Sequence, residues 1–296
     1  MDTEKCRALF EILKCGSFSA AAEKMGYTPS GLSRMMAALE EDAGFPLLIR
    51  SRDGVRATKE CELMMPVYRE FIAVDEKYRQ TRANVLGTHT GTVVVGTAYS
   101  IYYKWFSNVI ADFEKEYPGI EVKINDGKSS ELYRMIAAQE MDFCIVSKRD
   151  GDVSWHHLFE DPLVAIVAAD SPLAAMDSFP VKMFETESYI ETFRGQDTDN
   201  ARMFRRNHLQ PNIRFETEDT YASHRMVEAG LGVSLSNYIE SKERSEDKSV
   251  RLMELDPPQI VEIGIATPPD SLISPAAKKF RDFAMNYISD IIDNRK

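Results

Sequence analysis

Two groups of side chains stand at spacings that could recognise a charged polymer. Thr28, Pro29, Ser30, Ser33 and Arg34 crowd one short stretch, with Ser17 a little upstream. Their hydroxyls and single guanidinium can exchange hydrogen bonds with base edges, Arg with guanine and Ser with several bases. Arg50, Arg52 and Arg56 surround Asp53–Gly54, and such cations suit phosphate oxygens. Chemistry of other kinds is not supplied. The five histidines, His89, His156, His157, His208 and His224, lack the spacing of a zinc site. No nucleophile elbow, phosphate loop or dinucleotide fingerprint occurs. Gly230-Leu231-Gly232 is too short a signal and reads as a helix stop. No catalytic residue, metal or cofactor is therefore expected.

The first group needs a helix to present it. Ser17 or Ser19 can cap a helix that carries Ala20, Ala21 and Ala22, small residues that let a neighbour pack close. Gly26 permits a turn at positive φ. Thr28 followed by Pro29 is a helix start, and Leu32, Met35, Met36 and Leu39 then make one apolar face. Ser30, Arg34 and Ala37 face the other way, with Ser33 at the edge. That small, polar, singly basic face suits a DNA major groove. The second group needs a hairpin, and Phe45–Thr58 reads as one with Asp53–Gly54 at its tip. Upstream, Cys6, Leu9, Phe10 and Leu13 repeat at helical spacing and close a small core. Three helices and a basic hairpin are the parts of a winged helix-turn-helix.

Over Phe10–Cys61 the chain resembles the DNA-binding domain of LysR-type transcriptional regulators. The shared residues include Gly16-Ser17-Phe18, Ala21-Ala22, Leu32-Ser33-Arg34, Leu39-Glu40, Gly44, Leu47, Arg50 and Thr58. The resemblance implies binding to double-stranded DNA at an interrupted inverted repeat. This chain departs from the common pattern at Thr28-Pro29-Ser30, where many members carry Ser-Gln-Pro. Pro29 cannot make the base contact that Gln often makes, so base choice falls on Ser30, Ser33 and Arg34.

Downstream, Lys59 to about Leu86 contains no Gly, and Met64, Val67, Phe71, Val74, Tyr78, Thr81 and Val85 alternate spacings of three and four. This heptad seam predicts a paired helix, with Pro66 marking a kink or a late start. By the resemblance this helix forms a homodimer, and two dimers form a homotetramer. Gly87–Gly91 then reads as a linker, followed by alternating strands and helices. Strands are expected at 92–95, 121–124, 143–146, 163–168, 189–190, 213–216, 233–235, 250–255 and 261–266. Helices are expected at 105–116, 131–139, 201–207 and 221–229. A final helix is capped by Ser274 with Phe280, Phe283, Tyr287 and Ile291 inward. The alternation implies α/β folding with largely parallel sheets.

This half resembles the LysR-type effector domain, itself similar to periplasmic solute-binding proteins, through Tyr117-Pro118, Ser171-Pro172-Leu173-Ala174 and Val227–Val233. The fold class expected is α/β: residues 1–58 a winged helix-turn-helix, 59–88 a linker helix and 89–296 a two-subdomain effector domain. The chain would cross between subdomains near Pro162 and return near Ile265. The resemblance places a small molecule in the cleft, at Thr97, Tyr99, Ser100, Lys128, Ser129, Ser147, Thr192, Phe193, Arg194 and Thr220. Mostly neutral donors with one or two cations suit a small organic anion.

The totals agree with a folded regulator. Residues 1–60 hold nine basic and nine acidic side chains, so the net charge of −11 belongs to the remainder. A neutral DNA-binding domain is a weak electrostatic trap, and affinity is expected to rest on dimerisation and a few placed arginines. The same neutrality supports a second reading, a solute-binding or assembly module that no longer reads DNA; Arg34 and the basic hairpin oppose it. The four cysteines show neither metal-ligand spacing nor a paired framework. The longest apolar run, Leu163–Ala169, is too short for a bilayer. The polar start lacks a secretory signal, so a cytoplasmic protein with no membrane role is expected.

Overall fold

The computed structural model describes residues 2–51, 54–87, 89–244 and 249–293. Three helices open the chain, each fixed by a local cap. Helix α1 (Thr3–Cys15) is capped by Asp2, which accepts the Glu4 N–H at 2.9 Å. Helix α2 (Phe18–Met25) is capped by Ser17 and stops at Gly26, whose φ of 72° lies in the left-handed region. Helix α3 (Pro29–Ala43) is capped by Thr28, which accepts the Gly31 N–H at 3.1 Å. Leu9, Ile12, Ala21, Ala22, Leu32, Met36 and Leu39 bury their side chains in one core.

Strands β1 (Leu48–Ser51) and β2 (Gly54–Ala57) form the antiparallel hairpin. Gly54 is a strand residue paired with Ser51, not part of the tip as the sequence suggested. A Cβ at Gly54 would lie 2.9 Å from the Gly16 carbonyl oxygen, to which the Val55 N–H donates at 2.9 Å. The hairpin is thus pinned to the α1–α2 turn, and only glycine permits the approach. Arg52 and Asp53 lie outside the described residues.

Helix α4 (Lys59–Val85) runs for 27 residues, about 40 Å. Thr58 caps it, so the helix begins ahead of Pro66 and continues through it. Cys61 and Tyr68 anchor it in the N-terminal core. Of the expected seam, Met64 and Phe71 lean on that same core, whereas Val67, Val74, Tyr78 and Val85 are exposed together with Leu63. The free apolar stripe is therefore rotated slightly from the seam read in sequence.

The remainder comprises β3 (Gly91–Thr97), α5 (Tyr103–Glu116), β4 (Ile120–Asp126), α6 (Ser129–Ala137), β5 (Phe143–Ser147), β6 (Ser154–Ala168), β7 (Phe179–Pro180), β8 (Tyr189–Thr192), α7 (Asp199–Arg206), β9 (Ile213–Thr217), α8 (Thr220–Glu228), β10 (Ser234–Asn237), α9 (Tyr238–Arg244), β11 (Val250–Asp256), β12 (Ile260–Thr267) and α10 (Pro275–Asp293). The main sheet runs β4-β3-β5-β12-β6-β11-β7, with β10 also on β6. Strands β3, β4 and β5 are parallel, as are β8 and β9, but β12 is antiparallel to β5 and β6, and β6 to β10 and β11. The largely parallel sheet expected from the alternation is thus mixed. The reason is β6, whose first half pairs with β12 in one subdomain and whose second half pairs with β10 and β11 in the other. The crossing falls at Pro162, which pairs with Ile260. The return therefore comes before Ile260, earlier than the sequence placed it; Ile265 lies inside the first subdomain, opposite Ile145 and His156.

Phe106, Phe113 and Phe143 meet Phe280 of α10 at ring separations of 6.3, 5.0 and 5.1 Å. This aromatic packing returns the last helix to the first subdomain. Gln80 of α4 is buried against it, accepting the Ala276 N–H at 2.9 Å at the start of α10. Ile291 lies among residues whose side chains are not described.

Candidate nucleic-acid interface and effector cleft

Helix α3 buries Leu32, Met36 and Leu39 and leaves Ser30, Arg34 and Ala37 exposed, with Ser33 half-buried. Pro29 is exposed at the first position, and Thr28 is spent as the cap, sharing a hydrogen bond with Ser30 Oγ at 3.2 Å. Ser17 is likewise a cap. The start of α3, where its N–H dipoles emerge, is a favourable place for phosphate. Arg50 lies over the Phe18 ring at 4.1 Å and donates to Ser33 Oγ at 3.2 Å. Its guanidinium is thus held beside the outward face of α3. Arg56 stands directly opposite Ile49 in the ladder, whereas Arg50 stands opposite Val55. Successive strand residues alternate faces, so Arg50 and Arg56 leave the hairpin on opposite sides. The hairpin therefore presents these arginines to two sides.

The second site is a cavity of about 290 Å³ between the subdomains. Tyr99, Ser100, Lys128 and Ser129 line one wall; Thr192, Phe193 and Thr220 line the other. Phe193 has φ 57° and Gly195 φ 74°, and this tight turn carries Phe193 in the cavity wall. Arg194 does not join it: the side chain is exposed and pairs with Glu216 and Glu191. Thr97 is buried behind the wall, accepting the Tyr99 N–H at 3.2 Å and donating to the Ile145 carbonyl at 3.3 Å. Ser147 is also buried and lines an adjoining cavity with Arg149 and Arg206.

Several lining residues were not anticipated: Gln196, Asp197, Asp199, Asn200 and Glu240. Helix α7 starts two residues earlier than the sequence suggested, capped by Thr198, and this brings Asp199 to the cleft. The Thr198-Asp199 pair at a strand-to-helix junction was the available signal. Helix α9, which carries Glu240, is too short to have shown a period. Contacts between the described residues join the two sides of the cleft. Tyr99 Oη donates to Asp199 at 2.6 Å, Arg149 pairs with Asp197, and Arg202 donates to the Lys148 carbonyl at 3.0 Å. Burial, then the Asp199 charge, pushes the Tyr99 phenol well above its ordinary range, so it remains a donor. Burial acts to raise the Asp197 carboxyl, but hydrogen bonds from Arg205 and Arg149 hold it below its ordinary range. Beneath the cleft Asp161 is buried, accepts the Ile239 N–H at 3.1 Å, and is pushed up to about 6 by that burial. Cys144 is buried in β5, and burial pushes its thiol far up, leaving it without thiolate character. Among the described residues no three His, Cys, Asp or Glu side chains gather as metal ligands, and no helix is long and apolar enough to cross a membrane.

These two sites, on this fold, define a ligand-responsive DNA-binding regulator of bacterial type. Residues 3–62 match the family model for bacterial regulatory helix-turn-helix proteins of the lysR family, and residues 87–288 match the LysR substrate binding domain. The chain belongs to the LysR family of transcriptional regulators. It is 24% identical to the uncharacterized HTH-type transcriptional regulator YybE of Bacillus subtilis, over 98% of this chain and all of that one. Among solved structures it is similar to full-length OxyR C199D from Pseudomonas aeruginosa, with a TM-score of 0.72 at 19% identity, covering 97% and 94% of the two chains. The regulatory domain of CcmR from Synechocystis, solved in complex with 2-PG, superposes with a TM-score of 0.58 at 21% identity, covering 67% and 97%.

Proposed function

We propose that this chain reads a specific double-stranded operator, an interrupted inverted repeat, as a cytoplasmic homodimer that pairs into a tetramer. Its DNA binding is set by a small organic anion in the cleft, and it is not an enzyme. The observation that carries this is the outward face of α3. Ser30, Arg34 and Ala37 are exposed on a firmly capped helix, with Arg50 fixed alongside by Phe18 and Ser33. Arg34 would read a base, while Arg50, the start of α3 and, from the other side of the hairpin, Arg56 would position the duplex through phosphate. Helix α4 supports the dimer, since its exposed stripe of Leu63, Val67, Val74, Tyr78 and Val85 is the kind of surface that a second copy covers. For the effector, Lys128 and the start of α6 offer donors to a carboxylate at one wall of the cleft. The experiment is selection of genomic fragments by the purified protein, followed by sequencing. Enrichment of one inverted-repeat motif supports the reading, and recovery of fragments in proportion to their input contradicts it.

A further inference from the structure

The two walls of the cleft differ in the hydrogen bonds they offer. On the first wall, α6 begins at Ser129, and Lys128 at its cap position makes no side-chain capping bond. A lysine has no acceptor to give, so the first-turn N–H groups are left as donors beside the Lys128 ammonium and the Ser100 and Ser129 hydroxyls. That wall takes a carboxylate. On the second wall the helix starts are already satisfied from within the chain. Thr198 caps α7, accepting the Ala201 N–H at 3.1 Å, and Asp219 caps α8, accepting the Tyr221 N–H at 2.8 Å. What this wall presents to the cavity is rich in acceptors: the carboxylate of Asp199, which also accepts from Tyr99 Oη and lies 3.8 Å from Arg202, and that of Glu240, which also accepts from Thr220 Oγ1 at 2.9 Å. Thr192 stands with them, 7% exposed, lining the cavity with a hydroxyl that has no hydrogen-bond partner among the described residues. A second carboxylate placed here would meet like charge, whereas an ammonium, with three donors and no acceptor, matches what the wall offers.

We infer that the effector is a zwitterion of amino-acid type, its carboxylate on the α6 wall and its ammonium on the wall of Thr192, Asp199 and Glu240. The cavity, about 290 Å³, lies at the small end of ligand pockets and fits a single amino acid or a close relative. This rests on reading the cleft as the effector site, and narrows a general organic anion to one that also carries a cation. Such a ligand bridges the two subdomains through opposite charges, so it favours their closed arrangement more than either charge alone.

The test is isothermal titration of the full chain with the common amino acids, each alongside its 2-keto acid and its decarboxylated amine. One amino acid is expected to bind at least tenfold tighter than both of its truncated partners, as loss of a charge-assisted hydrogen bond predicts. Glu240→Gln should then weaken that amino acid about tenfold more than it weakens the keto acid, while Lys128→Ala weakens both. A keto acid or other carboxylate that binds as tightly as its amino acid overturns the ammonium and leaves the effector site standing. An equal loss of both ligands in Glu240→Gln also overturns it. No binding by any member of the three classes overturns the inference and the carboxylate reading of the cleft together.

Discussion

Arg34 and Arg50 lie near each other but should fail differently when removed. Arg34 is exposed on the outward face of α3, so Arg34→Ala is expected to cost about 1–3 kcal/mol on operator DNA and little on random DNA. Fluorescence anisotropy on both duplexes checks this; an unchanged ratio removes Arg34 from base readout. Arg50→Ala should weaken both duplexes alike and lower the log–log salt slope by about one. A changed preference at constant slope would contradict the phosphate role. Asp161 gives a pH prediction. Its folded carboxyl titrates at about 6, above the unfolded value, so it favours the fold at low pH. That contribution is complete below about pH 4 and is lost as the pH rises through 6. Asp161→Asn should therefore gain stability over the parent between pH 5 and pH 8, by roughly 1 kcal/mol. Urea unfolding at the two pH values reads it, and a parallel response of both proteins sinks the assignment. Much at this scale was legible beforehand. Ser17 and Thr28 cap helices through bonds within three residues, and so close a rule can be read from a short string. The partners of Arg50 and Arg194 could not be read, because Phe18, Ser33 and Glu216 meet them only after the chain has folded.

Helix α4 joins the two sites, and its contacts show how. Arg69 lies over the Phe10 ring of α1 at 4.7 Å and pairs with Glu140 at 2.8 Å. Glu140 follows α6, whose other end is the Lys128–Ser129 wall of the cleft. Movement of α6 on ligand binding would therefore be felt at α1. Glu140→Gln is expected to leave the effector's own affinity within about twofold and to reduce its effect on operator affinity, since coupling depends on an element that both sites bias. An effector response equal to that of the parent would rule this link out. The stripe on α4 predicts that Val74→Asp lowers the dimer's association by about 3–5 kcal/mol, the range for an unpaired charge buried at a contact. Light scattering at micromolar protein reads the mass, and retention of the parent mass would mean the stripe faces no second copy. The elements legible in the sequence were those with a clear period. The first half of β6, Ser154–Pro162, leading up to the crossing, mixes polar, aromatic and acidic residues that are mostly only half-buried, and it showed none. Missing it also hid the antiparallel pairing that makes the sheet mixed.

At the scale of the whole molecule, the charge is unevenly spread: a neutral reading head of 60 residues is joined to a remainder that carries all of the −11. Nonspecific attraction to DNA should accordingly be modest, and occupancy should depend on contacts that only the right sequence completes. The helix-turn-helix and the α/β character of the remainder were legible, since both are local patterns along the chain; the cleft was expected only through the family resemblance. The acidity of one cleft wall was not legible, because Asp199 and Glu240 are brought to Lys128 and Ser129 only by the double crossing of the hinge. The most direct measurement is the affinity of the full chain for a duplex recovered by genomic selection, against the same duplex with its inverted repeat scrambled, both at 150 mM salt. Specific recognition by α3 predicts a ratio on the order of 10³ or more, lowered about 5- to 150-fold in Arg34→Ala. Equal affinities for the two duplexes would contradict it.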